Sequence, residues 1–336
     1  MSLWTELKKL WSSLSISLLL LTCKIKEMSD KCYFASANTG NGFFNCFESI
    51  EEKNGIQYIL KGAPGSGKST IMRKMASRFI SMGGQVEYFY CSSDSRSLDG
   101  VRLIGTGISI VDGTAPHAIE CVFPGLTHKL VDLGKAIQPG LETARGELFS
   151  LAHKKKDGYV ELYSLLSASK DILNHNIIQM PLSDMPVDSL CMPESKGNVR
   201  HLFLSSIEKD FSETNSYSSV HFIDANYRSA NALFHKAEKI ALEKGLSMVC
   251  IHNTVNPDCF DALYIPESDI LYRAVPVSDP QLDSSIARSV ERLAQNRGFH
   301  LEIERIYHEF TDYNIINDIT LSLLSEVGCK FPDHKL

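Results

Sequence analysis

Residues Gly62-Ala63-Pro64-Gly65-Ser66-Gly67-Lys68-Ser69-Thr70 fit the pattern G-x-x-x-x-G-K-[ST] of a P-loop, whose spacing has a physical cause. Glycines open backbone angles closed to other residues, so successive N–H groups can turn inward around phosphate oxygens. A lysine at position 68 reaches the β and γ phosphates and the Ser69 hydroxyl coordinates Mg²⁺. The helix that starts here adds the positive end of its dipole. The nine residues are therefore expected to bind a nucleotide with magnesium. No N-K-x-D guanine-reading motif occurs in the chain, which favours ATP over GTP.

Metal coordination needs an acidic partner at the end of a neighbouring strand. Ile108-Ser109-Ile110-Val111 ends in Asp112, which reads as that residue; a turn aspartate before Gly113 is the bland alternative. Asp94 and Asp99 follow the β-rich run Val86–Cys91, where α/β proteins place ligand groups, and either equally suits a helix N-cap. No water-orienting glutamate directly follows Asp112, since Gly113 and Thr114 stand there. His117 reads equally as a phosphate or acceptor contact and as a plain loop residue.

The elements that must position these groups are legible nearby. Ile56 to Leu60 is strand-like, and Ile71, Met75 and Phe79 form the apolar stripe of a helix ending before Gly83 and Gly84. Strand, loop and helix come in the required order.

The second half repeats much of the first with the motif removed. Tyr33-Phe34-Ala35-Ser36-Ala37 matches Leu202-Phe203-Leu204-Ser205-Ser206, Ile56–Leu60 matches Val220–Ile223, Gly83 matches Gly245, and Leu98-Asp99-Gly100-Val101 matches Phe260-Asp261-Ala262-Leu263. At the P-loop position the second copy reads Asp224-Ala225-Asn226-Tyr227-Arg228, with no glycine and no lysine. In the same register Asp94 faces Asn256 and Asp112 faces Ala274, while Asp99 faces Asp261. Asp94 and Asp112 thus vanish together with the loop and are assigned to the metal, with Lys68 and Asp112 the catalytic pair. Asp99 survives without the loop and is read as structural.

The expected fold is α/β: two tandem P-loop-like domains, each a mostly parallel sheet flanked by helices, with helical appendages. Residues 31–177 form the first domain, a proline-bearing linker spans 178–198, and 199–336 form a second domain without the phosphate loop. The appendages are Ala144 to Asn174 and Ile286 to Val327; Lys154, Lys155 and Lys156 read as a solvated face of the first. Arg228 and Arg273 are the second copy's candidates for an arginine finger.

Phe34-Ala35-Ser36-Ala37 with Gly42, the loop Gly62–Ser69, Cys91-Ser92-Ser93-Asp94 with Leu98-Asp99-Gly100, and Ile110-Val111-Asp112-Gly113-Thr114-Ala115-Pro116-His117 together resemble a family of bacterial tandem P-loop ATPases. The resemblance covers nearly all of Lys31 to Val327. It implies a cytoplasmic ATP-binding protein of two P-loop-like domains; in that family both copies can carry the loop, and here the second does not.

Three functions follow in order: a Mg-dependent ATPase, a small-molecule or nucleotide kinase, and a non-hydrolysing ATP-regulated interaction module. No arginine-dense lid segment stands out for a kinase. Zinc and serine hydrolases lack their motifs, there being no H-E-x-x-H, H-x-x-x-H or G-x-S-x-G. A net charge of -6, from 34 Lys plus Arg against 40 Asp plus Glu, disfavours a nucleic-acid coat. The 9 cysteines are scattered with no C-x-x-C pair, which points to reduced thiols. Leu10 to Cys23 is uncharged but shorter than the roughly 18 residues a spanning helix needs. With a poor cleavage site and Met28 just before the matched region, residues 1–30 read as an upstream extension or a surface helix rather than a signal peptide or membrane anchor.

Overall fold

The computed structural model describes residues 30–52, 54–116 and 119–328. The N-terminal run read as an extension, together with Cys23, His117 and Cys329, lies outside them. The chain is mixed α/β, with sheets of mostly parallel strands flanked by helices.

The first unit contains β1 (Lys31–Tyr33), the hairpin β2 (Ser36–Thr39) and β3 (Gly42–Asn45), β4 (Ile56–Lys61), α1 (Lys68–Ile80), β5 (Val86–Tyr90), β6 (Leu98–Leu103), β7 (Ile108–Asp112), β8 (His128–Asp132) and α2 (Arg145–Gln179). The second contains β9 (Val199–Leu202), β10 (Ser219–Phe222), α3 (Tyr227–Lys244), β11 (Met248–His252), β12 (Phe260–Ile265), β13 (Ile270–Arg273) and α4 (Pro280–Glu309), and α5 (Tyr313–Gly328) ends the described chain. The first sheet has the order β1-β5-β6-β7-β4-β8 and the second β10-β13-β12-β11-β9. Read from β1 and from β9, the two orders match strand for strand. Their senses match too: first pair parallel, next two antiparallel, next parallel. The first sheet adds β8 beyond β4.

Alternation of side chains explains the layering. Tyr33, Ile59, Phe89 and Val111 of the first sheet share one buried cluster with Leu202, Val249, Ile251, Tyr264 and Leu271 of the second, so the inner faces pack together. The outer face of the first sheet, with Tyr58, Leu60, Val101 and Ile110, lies under α1 and α5. That of the second, with Met248, Cys250, Leu263 and Tyr272, lies under α3. Each large apolar side chain fully buried in this way contributes roughly 1.5–3 kcal/mol. One antiparallel strand per sheet, β6 or β12, was not legible beforehand: Leu98–Leu103 carries Asp99, Gly100 and Arg102 and lacks an apolar run.

The halves also meet through backbone pairing and ion pairs. Phe34 and Phe203, equivalent by sequence, exchange two backbone hydrogen bonds of 2.9 Å. Lys31 of β1 pairs with Asp269 across the interface at 3.0 Å, and Arg200, its counterpart on β9, reaches back to Glu87 at 2.8 Å and the Ser49 carbonyl at 2.8 Å. The long helices α2 and α4 run antiparallel, with Leu162, Leu166 and Leu293 buried together and Ser169 Oγ 2.8 Å from Ser285 Oγ. After each long helix the chain crosses to the opposite unit. The stretch read as a linker lies on the second sheet's helix layer, where Leu190 is buried and the Ser183 N–H donates to Ser229. The final helix, expected with the second domain, packs on the first unit through Ile316, Leu323 and Val327. Apolar residues at both positions explain this, because each tail covers a sheet face that its own unit leaves open.

Candidate functional site

β4 ends at Lys61 and α1 begins at Lys68, so the loop 62–67 sits at the carboxyl edge of the first sheet. Gly65 and Gly67 take left-handed backbone angles, φ 76° and 86°, which permits the loop's reversals. At Gly62 a Cβ would stand 2.6 Å from Ser66 Oγ and 2.9 Å from Leu133 Cβ, leaving no room for a side chain. No side chain caps α1: its N-cap is Gly67, and the first-turn N–H groups have no intrahelical acceptors. Ser66 Oγ is buried without a hydrogen-bond partner among the described residues.

Lys68 Nζ donates to the Gly62 and Ala63 carbonyls at 2.8 and 2.9 Å and lies 3.6 Å from Asp112 Oδ2. Register places Asp112 opposite Leu60, just before the loop, so strand pairing itself sets the lysine–aspartate contact. Asp112 Oδ1 accepts from the Thr114 N–H at 2.8 Å and from the Thr114 hydroxyl. Ser69 Oγ accepts from the Leu98 N–H at 3.1 Å and keeps its own hydrogen and a second lone pair.

These groups open on a cleft of about 560 Å³. The sequence-read residues Pro64 to Thr70, Asp94, Asp99 and Asp112 all line it. Asp94 spends both carboxylate oxygens on Arg96, at 2.9 and 3.2 Å. Partial burial works to raise the Asp94 carboxyl, but the Arg96 side-chain and backbone hydrogen bonds outweigh it and leave it below the usual carboxylate range. Asp99 is buried beside the Cys91 thiol, which burial, and then the Asp99 charge, push well above its ordinary value.

The opposite wall was not found by sequence reasoning. Lys155 and Tyr159 of α2 and Arg297, His300 and Glu304 of α4 face the glycine-rich loop. Lys155 therefore departs from its reading as part of a solvated face: burial lowers its pKa, and its ammonium lies 2.9 Å from His300 Nδ1. His300 Nε2 stands 3.4 Å from Glu304, and this hydrogen bond holds the Glu304 carboxyl below its ordinary value, with Lys68 adding to the effect. Arg297 is held by Glu208 at 2.5 Å. Tyr159 donates to Ser93 at 2.9 Å, and Tyr313 of α5 donates to the Gly65 carbonyl at 2.9 Å. The one signal available was the three-four spacing of Arg297, His300 and Glu304 along one helix face.

Arg228 and Arg273 lie elsewhere. Arg228 donates to the carbonyls of Ile178 and Met180, both at 3.0 Å, and Arg273 stacks over the Phe222 ring. At the position equivalent to the glycine-rich loop, only residues 223–226 separate β10 from α3. Asn226 caps that helix through its side chain, and the Tyr227 hydroxyl donates to buried Asp261 at 2.7 Å. The smaller cavity there, about 210 Å³, is lined by Leu173, Leu282 and Ile286 among others.

No helix among the described residues is long and apolar enough to cross a membrane. The chain matches no model of a known protein family, no curated protein and no solved structure.

Proposed function

We propose that the protein binds Mg-ATP at Gly62–Thr70 and hydrolyses it. The observation that carries this reading is the uncapped N-terminus of α1 behind two left-handed glycines, with the buried Ser66 hydroxyl lacking a partner and Lys68 and Asp112 alongside. An anion is what such a cluster of unmet donors accepts. Ser69 and Asp112 are suited to hold magnesium, which would neutralise phosphate charge. Asp94, engaged by Arg96, instead anchors an arginine at the cleft wall. Lys68 exchanges its two carbonyl partners for phosphate oxygens, and Arg96 and Arg297 supply further positive charge from two different walls. Of the cleft carboxylates outside the proposed metal set, Asp94 is engaged by Arg96 and Asp99 is buried beside Cys91, so orienting the attacking water is assigned to Glu304.

Because α4 and α5 both touch the loop, occupancy of the cleft is expected to act on the packing between the halves. The test is thermal unfolding with and without Mg-ATP, Mg-GTP and ADP, for wild type, Lys68→Ala and Glu304→Gln. A ligand at about 100 times its Kd stabilises by roughly 2.7 kcal/mol, several degrees of melting shift. Wild type should shift with Mg-ATP and release phosphate. Lys68→Ala should lose the shift, and Glu304→Gln should keep the shift and lose turnover. Absence of any shift in wild type sinks the proposal. Saturable binding without turnover moves the reading to an ATP-regulated interaction module.

A further inference from the structure

A second cluster of polar groups lies in the other unit, between the outer face of its sheet and α3. His201 on β9, Glu238 on α3 and Cys250 on β11 place one ligand atom each within 4.8 Å of one another. The Cys250 thiol is fully buried, while Glu238 and His201 are half-buried and leave a path to solvent.

Hydrogen-bond accounting fixes the ring tautomers. The Pro257 carbonyl can only accept, so His252 Nδ1, 2.5 Å away, carries hydrogen. In the neutral ring His252 Nε2 is then an acceptor, and His201 Nδ1, 3.1 Å from it, must donate. His201 Nε2 is thereby left with a lone pair, aimed at Glu238 Oε1 from 3.7 Å. On the other side of the carboxylate, His235 Nε2 faces the Asp258 carbonyl at 3.1 Å and its Nδ1 faces Glu238 Oε2 at 3.3 Å, so both of its partners are acceptors. With His201 in that tautomer, its bare Nε2, a Glu238 oxygen and the Cys250 sulfur converge, three groups that can each donate a lone pair to one cation.

We propose that His201 Nε2, Glu238 and Cys250 Sγ bind a borderline-soft divalent cation of the zinc class. The donor set selects the ion: magnesium and calcium take oxygen ligands, whereas a mixed sulfur, nitrogen and oxygen set suits zinc. Ligand bonds of about 2.0–2.3 Å put tetrahedral ligands about 3.3–3.6 Å apart, so the observed spacings close on the ion with small side-chain shifts. Binding releases the Cys250 proton to solvent and leaves a thiolate on the metal. His252 acts as a positioning residue, holding His201 in the ligating tautomer. The ion would tie β9, α3 and β11 together in the unit that lacks the glycine-rich loop, so this site does not depend on the nucleotide reading.

The experiment titrates Co²⁺ as a spectroscopic stand-in, then Zn²⁺, into the chelator-treated full chain, for wild type, Cys250→Ala, Glu238→Gln and His252→Phe. The expected result is a thiolate-to-cobalt charge-transfer band saturating at one ion per chain and displaced by Zn²⁺. That band should vanish in Cys250→Ala, and affinity should fall at least tenfold in Glu238→Gln and about 10–100-fold in His252→Phe. Circular dichroism identifies any variant that fails to fold; Glu238→Gln, at a half-exposed position, is the one chosen to keep the fold. A wild type without the band, a band that persists in Cys250→Ala, or an undiminished affinity in folded Glu238→Gln overturns the assignment.

Discussion

Glu87 offers the sharpest test of how the two halves are joined. It is buried on β5, bonded to Arg102 of the same unit at 2.6 and 2.8 Å and to Arg200 of the other at 2.8 and 3.1 Å. Burial alone would raise its carboxyl, but the two guanidinium groups overcome that and bring it from an ordinary 4.5 to about 2. At about 1.4 kcal/mol per pH unit, that difference is worth about 3 kcal/mol. Because the folded-state pKa is the lower one, the contribution is fully present above pH 4.5 and is lost as pH falls toward 2. Glu87→Gln removes the charge that two largely covered guanidinium groups share, leaving Arg102 with Glu52 at 3.5 Å and Arg200 with the Ser49 carbonyl, so the expected cost at pH 7 is about 3 kcal/mol. Urea unfolding of both proteins at pH 7, 5, 4 and 3 reads this directly. The gap between them should be constant from pH 7 to 5 and shrink below 4.5. A gap under about 1 kcal/mol at pH 7, or one unchanged between pH 5 and 3, would refute the argument that this carboxylate holds the interface as an ion.

Two further outcomes follow from the site and its cover. Gly158→Ala places a methyl group where it would stand 1.7 Å from Asn296 Oδ1; because Asn296 is buried, the roughly 1 kcal/mol gained in helix propensity is outweighed by overpacking of about 1–3 kcal/mol, and the melting temperature should fall rather than rise. Asp112→Asn should lower phosphate release at least tenfold with the melting point nearly kept, whereas Asp99→Asn should lower the melting point first; equal effects of both changes on turnover would undo the sorting of the two carboxylates.

What could be read from the sequence was what is contiguous. The glycine-rich loop, the strand before it and the helix after it occupy one run of residues, and the Ile71, Met75 and Phe79 stripe is buried. Asp112 was visible because a strand end is a local feature, and its contact with Lys68 follows from β4 pairing with β7. The matching strand order of the two sheets runs parallel to the sequence repeat. Residues brought together from distant segments were not visible. The inner cluster draws on Tyr33, Ile59, Phe89, Leu202 and Tyr264, and nothing in their local patterns says which sheet face meets which. Arg297, His300 and Glu304 fall within the appendage read from Ile286 to Val327, and only the crossing of α4 over the loop turns them inward. His201, Glu238 and Cys250 have no motif spacing, since three separate elements supply them.

The two units share a strand order, yet they differ locally where strand passes into helix. In the first unit, residues 62–67 and two left-handed glycines leave the helix end open; in the second, residues 223–226 close it with the Asn226 side chain. Around the open end the walls are charged: Lys155, Arg297, His300 and Glu304. Around the closed end the corresponding helices present Leu173, Leu282, Asp283 and Ile286, and Asp210, Asp261 and Arg273 also line the cavity. The second unit nevertheless supplies one wall of the cleft, Arg297, His300, Leu301 and Glu304 of α4, and α5 adds the Tyr313 contact to Gly65. The unit without the glycine-rich loop thus contributes to the cleft beside that loop. The helix α4, which carries both Glu304 and Arg297, cannot be removed without opening the cleft to solvent on that side.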